Sequence, residues 1–414
     1  RSDGPAVRSG NVAFDALYAL ALEETRSGSV ESIRDGAFAN GAPLTCAPGG
    51  CFRTGRLWTY VWTRDTAYAA HLGLGALDPT RMRNSLEFKL SPPRGGGGLE
   101  VVQDTGTGGS YPISTDRVVW ALGAERQLSF LPAAESAAFA GRTLEALRGT
   151  LERDRRVAFD EGDGLYRGET SFLDWREQTY PAYTAQDTTA IGSSKALSTN
   201  VGHYAALRLA ARLARPSDAS VADRYDGWAE ALKQRINTRF FVEEAGLFSS
   251  YTGPAFDEAP FRKYDALGIA LAILTGVVDG ERGRTALARY PHHPAGLPVV
   301  WPQERRVPGY HNRGIWPFVS AYWVKAARAV GNEAVAAFDI LSLVNLAALS
   351  LSHMENAELL TGLPSLNAPG GLEPVVNSHE QLWSVAGYIA IVHDVLFGLE
   401  TEGDALRFVP FVPK

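Results

Sequence analysis

Residues 266–290 read ALGIALAILTGVVDGERGRTALARY, and this stretch decides the fold. Its first thirteen residues, Ala266 to Val278, carry no charge, and a helix that is apolar all round must be buried on most sides. After a link of a few residues the chain turns charged, with Glu281, Arg282, Arg284 and Arg289 beside an apolar stripe, the pattern of a half-exposed helix. A buried helix, a short link and an amphipathic helix make one hairpin of two layers.

The same alternation runs outward in both directions. The patterning predicts helices over 11–27, 64–77, 80–90, 115–130, 132–154, 193–214, 217–239, 263–276, 280–290, 313–330, 332–352 and 380–399. The second, eighth, tenth and twelfth are nearly uncharged, whereas the third, fifth, seventh and ninth are amphipathic. The eleventh is more apolar than the scheme requires. Links from even to odd helices are short, near Asp78, Leu131, Pro216, Val277 and Gly331; links from odd to even helices are long. Six hairpins, an inner ring of helices within an outer ring, satisfy both alternations. The expected fold is an all-α (α/α)6 toroid with its long loops at one mouth and minor β-strands, chiefly Leu247–Thr252 and Leu406–Val412. Loops on a rigid scaffold are where chemistry usually sits.

Length and composition bound the rest. At 414 residues, a prior of about 150 residues per domain suggests two or three domains. Six hairpins at 69 residues each instead use nearly the whole chain, so one domain is expected over 1–405, followed by a strand-like tail over 406–414. With 45% apolar residues and 21% charged ones the chain is neither disordered nor fibrous. A net charge of -6 spread along the chain argues against nucleic acid as a partner. The strongest uncharged run, Ala266–Val278, is shorter than the roughly 20 residues of a membrane span. Nothing at Arg1 reads as a signal peptide, which fits a mature or trimmed form. Cys46 and Cys51, the only cysteines, flank Ala47-Pro48-Gly49-Gly50, turn chemistry that brings two Cα atoms within disulfide range. A disulfide there implies a periplasmic or secreted protein.

The long loops hold the unusual clusters. Trp58-Thr59-Tyr60-Val61-Trp62-Thr63-Arg64-Asp65 sets aromatic rings beside a cation and a carboxylate, a set suited to a sugar's apolar face and its hydroxyls. The alternative is a helix start with Trp58 and Trp62 in the core. Gln103–Asp116 is glycine-rich but lacks the Gly-Lys-Ser/Thr of a phosphate loop, and reads as a loop lining a cleft. Glu169–Glu177 places Glu169, Asp174 and Glu177 with Arg176 among Phe172 and Trp175, where desolvation raises a carboxyl pKa toward that of a general acid. A surface salt-bridge cluster is the plainer reading. Tyr310-His311-Asn312-Arg313-Gly314-Ile315-Trp316-Pro317 leads into a helix, with His311 as a substrate hydrogen-bonding group or a base. His353–Gly362 carries Glu355 and Glu358, of which one suffices as a base, and Asn377–Ser384 follows. The histidines show no metal-chelating spacing, and no Gly-x-Ser-x-Gly occurs.

Together these segments resemble the six-hairpin glycosidases: glucoamylase, trehalase, processing α-glucosidase I and the glucosidase module of glycogen debranching enzymes. The resemblance runs from about Val12 to Leu399. Trp62-Thr63-Arg64-Asp65 is similar to the glucoamylase Trp-x-Arg-Asp that holds hydroxyls of the terminal sugar. Glu355-Asn356 with Thr361-Gly362 resembles the frame of the general base, and Tyr310-His311-Asn312 and Gln381-Leu382-Trp383-Ser384 resemble segments of the debranching module. The acid segment departs from the pattern. Trehalases have an Asp four residues after a Glu, where Glu169 and Asp174 are five apart, and glucoamylases place a Glu at the position of Arg176. An Asp directly before Trp is the acid of related disaccharide phosphorylases, which points to Asp174 with Glu177 in reserve. Glu355 is the expected base, with Glu358 in reserve.

The resemblance implies an inverting, exo-acting glycoside hydrolase of α-glucosidase type, needing no cofactor and taking an oligosaccharide or glycoside. Asp174 would protonate the leaving oxygen and Glu355 activate water, their carboxyl groups about 6.5–9.5 Å apart. Arg64, Asp65 and His311 would fix hydroxyls and Trp62, Trp175 and Trp383 form walls; Arg176, Tyr310, Trp316 and Gln381 complete the expected substrate-binding set. Two alternatives stand beside it. One is a sugar epimerase or isomerase on the same toroid, in which His203, His311 or His379 converge at the mouth. The other is a carbohydrate-binding module without catalysis, its carboxylate blocked by a salt bridge.

Overall fold

The computed structural model describes residues 5–93, 96–107, 109–253, 259–305, 307, 309–364, 376–402 and 405–413. Thirteen α-helices lie among them: α1 (Val12–Ser27), α2 (Thr63–His71), α3 (Pro79–Glu87), α4 (Trp120–Leu128), α5 (Ala133–Val157), α6 (Thr188–Ser193), α7 (Leu197–Ala214), α8 (Ala219–Arg239), α9 (Ala266–Leu274), α10 (Gly280–Arg289), α11 (Pro317–Val330), α12 (Glu333–Ser350) and α13 (Leu382–Ala390). They make the chain about half helical and, with short strands only, compatible with an α/α toroid.

The 266–290 stretch shows why. Asp265 caps α9 by accepting from the Leu267 N–H, and every residue from Ala266 to Ile273 is buried. Gly276, at φ +71°, turns the chain in the left-handed region that glycine tolerates. Asp279 then caps α10 through the Glu281 and Arg282 N–H groups, and only Gly283, Ala286 and Leu287 of that helix are buried. The uncharged helix is inside and the charged one outside.

The inner helices contact one another in sequence: α2 with α4, α4 with α7, α7 with α9, α9 with α11, α11 with α13, and α13 back to α2. Each outer helix lies against this set: α1 on α13, α3 on α4 and α2, α5 on α7 and α4, α8 on α7, α10 on α11 and α9, α12 on α11 and α1. Buried side chains from all of them join one continuous core.

Several boundaries differ from the sequence expectation. The second helix stops at His71 because Gly73 is left-handed (φ +89°), leaving Leu74–Ala76 as a 3-10 turn. The last ends at Ala390 and widens into a π-helical turn, Ile391–Leu396. The short α6, capped by Asp187 accepting from Thr189 and Ala190, has no counterpart in the pattern reading. By length and hydropathy α12, not the 266–278 run, is the one helix among the described residues that could cross a membrane; it packs on α11 and α1, with Asp339 fully buried against His292.

Among the described residues the strands form nine two-stranded antiparallel ladders, mostly two residues per strand. Leu247–Thr252 proves to be two strands, Leu247–Phe248 and Tyr251–Thr252. The tail strand Ala405–Phe408 pairs with Leu399–Glu402. Three ladders join different long loops: Lys195–Ala196 with Tyr251–Thr252, Tyr264–Asp265 with Val300–Trp301, and Gly314–Ile315 with Ala357–Glu358. The long loops are thus stitched to each other above the inner-helix N-termini. Cys46 and Cys51 are joined in a disulfide, Cα–Cα 5.7 Å, in the first of them.

Candidate active site

Helix α2 starts with no side-chain cap of its own. The Thr63 N–H instead donates to Asp104 Oδ1 at 3.1 Å and its hydroxyl to the Val102 carbonyl at 2.9 Å. Asp104 is in turn ion-paired with buried Lys89. This external cap fixes the first turn, and Arg64 and Asp65 on that turn face a cavity of about 250 Å³. The cavity's other walls are Trp58, Trp62, Trp316 and Trp383, the stretch Asp104–Gly106, and Asp174, Tyr310, His311 and Glu355.

The floor is aromatic and rigid. Trp383 stacks on Phe318 at 4.1 Å, and Phe172 meets Trp316 edge-on at 4.8 Å. Above it Arg64 donates from both Nη atoms to Asp174 Oδ2, at 3.2 and 3.3 Å, and lies 3.8 Å from Asp116. Burial opposes the guanidinium charge, but Asp174, Asp116 and Asp65 outweigh it and hold Arg64 protonated. Asp116, fully buried and bonded to Gln103 and Thr105, is pushed up to about 7 by burial, with Arg64 opposing. Asp65 is pushed well up by burial and accepts from Gln381 Nε2 at 3.0 Å.

Glu355 enters from the loop after α12. Its Oε1 accepts from the Tyr310 hydroxyl at 3.1 Å; its Oε2 accepts from Trp58 Nε1 at 3.1 Å and from the Ser378 N–H at 3.0 Å. Burial raises its pKa to about 7, held from rising further by these three donors and Arg64. Such a group changes charge near neutrality, as a general base requires. Asp174 is less enclosed, with its side chain 24% exposed; Oδ2 is taken by Arg64, and Oδ1 lies 3.9 Å from His311 Nε2. His311 is buried, and its pKa is lowered to about 4 by burial and by Arg64, with Asp174 opposing. Burial therefore favours its neutral form. Its Nδ1, like Arg64 Nε and Trp383 Nε1, is buried and has no hydrogen-bond partner among the described residues.

The remaining expected site residues do not line the cavity. Gln381 reaches the cavity only through Asp65. Trp175 packs on Tyr310 at 5.2 Å. Arg176 binds Glu169 and Thr107, fastening the 103–116 loop to the 169–177 segment. Glu177 is exposed and bonded to Gln186. Glu358 is held by Arg313 at 2.9 Å and by the Leu360 and Thr361 N–H groups, so it shapes its own turn. Asn356 ties the Glu355 loop to Val376 and Asn377. Gly314 is required sterically: a Cβ there would stand 1.9 Å from the Tyr310 carbonyl oxygen.

Sequence reasoning did not single out Asp104, Thr105 or Gly106, nor count Trp58 among the substrate-binding residues. A glycine-rich loop lining a cleft was the available signal for the first three. Of the histidines weighed for an epimerase, only His311 lines the cavity; His203 is buried against Asp154 and the Thr199 carbonyl. Among the described residues no cluster of three metal-ligating side chains occurs. A larger cavity, about 450 Å³, lies by Tyr111 and Thr150, and its cations are paired, Arg117 with Asp154 and Arg153 with Glu100.

No known family pattern and no curated protein matches the chain. Solved structures do. An uncharacterized conserved protein from Thermus thermophilus superposes with a TM-score of 0.64 at 16% identity, covering 91% of this chain and 99% of that one. The GH63 mannosylglycerate hydrolase from the same organism, in complex with Tris and D-glycerate, gives 0.63 at 17%, covering 91% and 100%. The GH78 rhamnosidase of Bacillus sp. GL1 gives 0.63 at 17%, covering 96% of this chain but 37% of that one. Structural neighbours of this chain thus include glycoside hydrolases, and at these identities what the likeness establishes is a shared fold.

Proposed function

We propose that the protein is an inverting, exo-acting glycoside hydrolase of α-glucosidase type, built as an (α/α)6 toroid over residues 1–405 with a short strand-like tail over 406–414. The observation that carries this reading is the convergence of Asp174 and Glu355, from loops far apart in the chain, on one small cavity with Arg64, Asp65, His311 and tryptophan walls. Its volume is below the roughly 300–1,000 Å³ of drug-sized pockets, which suits a single terminal sugar ring. Shared fold with the mannosylglycerate hydrolase and rhamnosidase supports the reaction class.

In the proposed mechanism the sugar's hydroxyls take the hydrogen bonds of Arg64, Asp65 and His311. Asp174 donates a proton to the leaving glycosidic oxygen. Arg64 already occupies Oδ2, so Oδ1 is the oxygen that carries the proton. Glu355, oriented by Trp58, Tyr310 and Ser378, takes a proton from the water that attacks the opposite face. The Cys46–Cys51 disulfide suits a periplasmic or secreted setting.

A second reading draws on the Arg64–Asp174 pair. If that pair persists with sugar bound, the acid is blocked and the chain is a binding module. A screen of α- and β-glycosides, run with Asp174→Asn and Glu355→Gln, separates the two. Hydrolysis by the parent chain and its loss in both variants supports the hydrolase. Sugar affinity with no product from any glycoside supports the module, and full activity in either variant overturns the assignment of that residue.

A further inference from the structure

Glu24 lies on the outer helix α1 and has no part in the mechanism above, yet it is 6% exposed. A buried carboxylate is retained only where donors satisfy it. Here every donor belongs to the segment leading to Glu355. Glu24 Oε1 accepts from the Ser352 hydroxyl at 2.6 Å; Oε2 accepts from His353 Nδ1 at 2.6 Å; both oxygens lie within 3.2 Å of the His353 N–H.

That same short segment holds the second loop of the site. The Glu380 N–H donates to Ser352 Oγ at 3.0 Å, and the Gln381 N–H donates to the His353 carbonyl at 3.0 Å. Two residues on, the Glu355 N–H donates to the Ser378 carbonyl at 2.8 Å, and the Ser378 N–H returns to the Glu355 carboxylate. Gln381 in turn holds Asp65. Both loops are bent against preference where they meet: Leu351 has φ +50° and Glu380 φ +55°, left-handed conformations that disfavour a non-glycine residue. Such residues persist only where the surroundings over-determine them.

We propose that Glu24 is a positioning residue for Glu355. It clamps Ser352 and His353, and through them the 378–381 loop, so that the base and the Asp65-holding Gln381 stay in register across two strained turns. The proposal deepens the hydrolase reading and rests on it for the role of Glu355.

The test compares Glu24→Ala and Glu24→Gln in the full chain, by amide hydrogen exchange and by kcat and KM on the best glycoside of the screen. Glu24→Ala is expected to speed exchange at the Glu355 and Gln381 amides at least tenfold, leaving α7 and α9 protected. It is also expected to lower kcat about ten- to a hundredfold with KM within threefold. Glu24→Gln keeps an acceptor in the same shape and is expected to restore most of both. Unchanged exchange at those two amides, or faster exchange throughout the chain to the same degree, overturns the proposal. If Glu24→Ala does not fold, Ser352→Ala removes one arm of the clamp and carries the same two outcomes with a smaller effect. Turnover that survives Glu355→Gln defeats the base assignment alone, because the exchange readout decides whether Glu24 holds the loop whichever group is the base.

Discussion

The two loops that carry Asp174 and Glu355 solve the same problem in opposite ways. Glu355 is enclosed and held by three neutral donors, and burial lifts its pKa to about 7. Asp174 is partly exposed and held by a guanidinium that engages one of its oxygens twice. In the proposed mechanism the base is therefore oriented before substrate arrives, whereas the acid depends on how Arg64 divides itself between Asp174 and the sugar. Neutral donors orient Glu355, and a cation orients Asp174.

Removing either carboxylate tests the comparison most severely. Asp174→Asn and Glu355→Gln should each lower turnover by about 10²- to 10⁴-fold, the span of general acid–base catalysis. A leaving group that needs no protonation, such as a fluoride, should spare Asp174→Asn and not Glu355→Gln; equal losses on such a substrate would break the division of roles. Next in size is Arg64→Lys, which keeps the charge but not the fork that reaches Asp174 and the Phe172 carbonyl together. A fall in kcat/KM of about ten- to a hundredfold is expected, and no fall would mean Asp174 is oriented by something else.

Trp58→Phe sharpens the other side. It deletes the indole donor to Glu355 Oε2, so the pKa near 7 rises by about one pH unit. The base must be ionised, so the acid-side loss of kcat/KM should begin at higher pH. At pH 6 the variant should fall roughly tenfold below the parent and at pH 9 match it; a parallel loss at both values would assign Trp58 to sugar contact alone. The smallest effect is on stability. The folded pKa of Glu355 exceeds its unfolded value near 4.5, so its contribution is fully present below about 4.5 and is lost as pH rises through about 7. Glu355→Gln should therefore match the parent's Tm at pH 4.5 and exceed it by a few degrees at pH 8, and a variant less stable at pH 8 would contradict the buried placement.

Much of the helical scaffold was legible because burial writes itself into composition. Ala266–Leu274 is uncharged because it is covered on all sides, and Gly280–Arg289 is charged because it is not. Apart from the segments 247–252 and 406–412, the ladders were not legible: two residues per strand are too few for alternation to register, and partners such as Ile315 and Ala357 are far apart in sequence. The site divided along the same line. Arg64, Asp65, Tyr310 and His311 stand in clusters of unusual local composition, and all line the cavity. Asp104 acts through Lys89 and the Thr63 amide, and Glu24 through a loop far along the chain; spacing carries no trace of either. Arg176 has the composition of a sugar-binding group, but Glu169 and Thr107 already occupy it.

The measurement that bears most directly on the paired roles of Asp174 and Glu355 is proton NMR of the first sugar released from the best glycoside, recorded before mutarotation. Water activated by Glu355 on the face opposite the leaving group yields the anomer of inverted configuration. A first product of retained configuration would contradict that account.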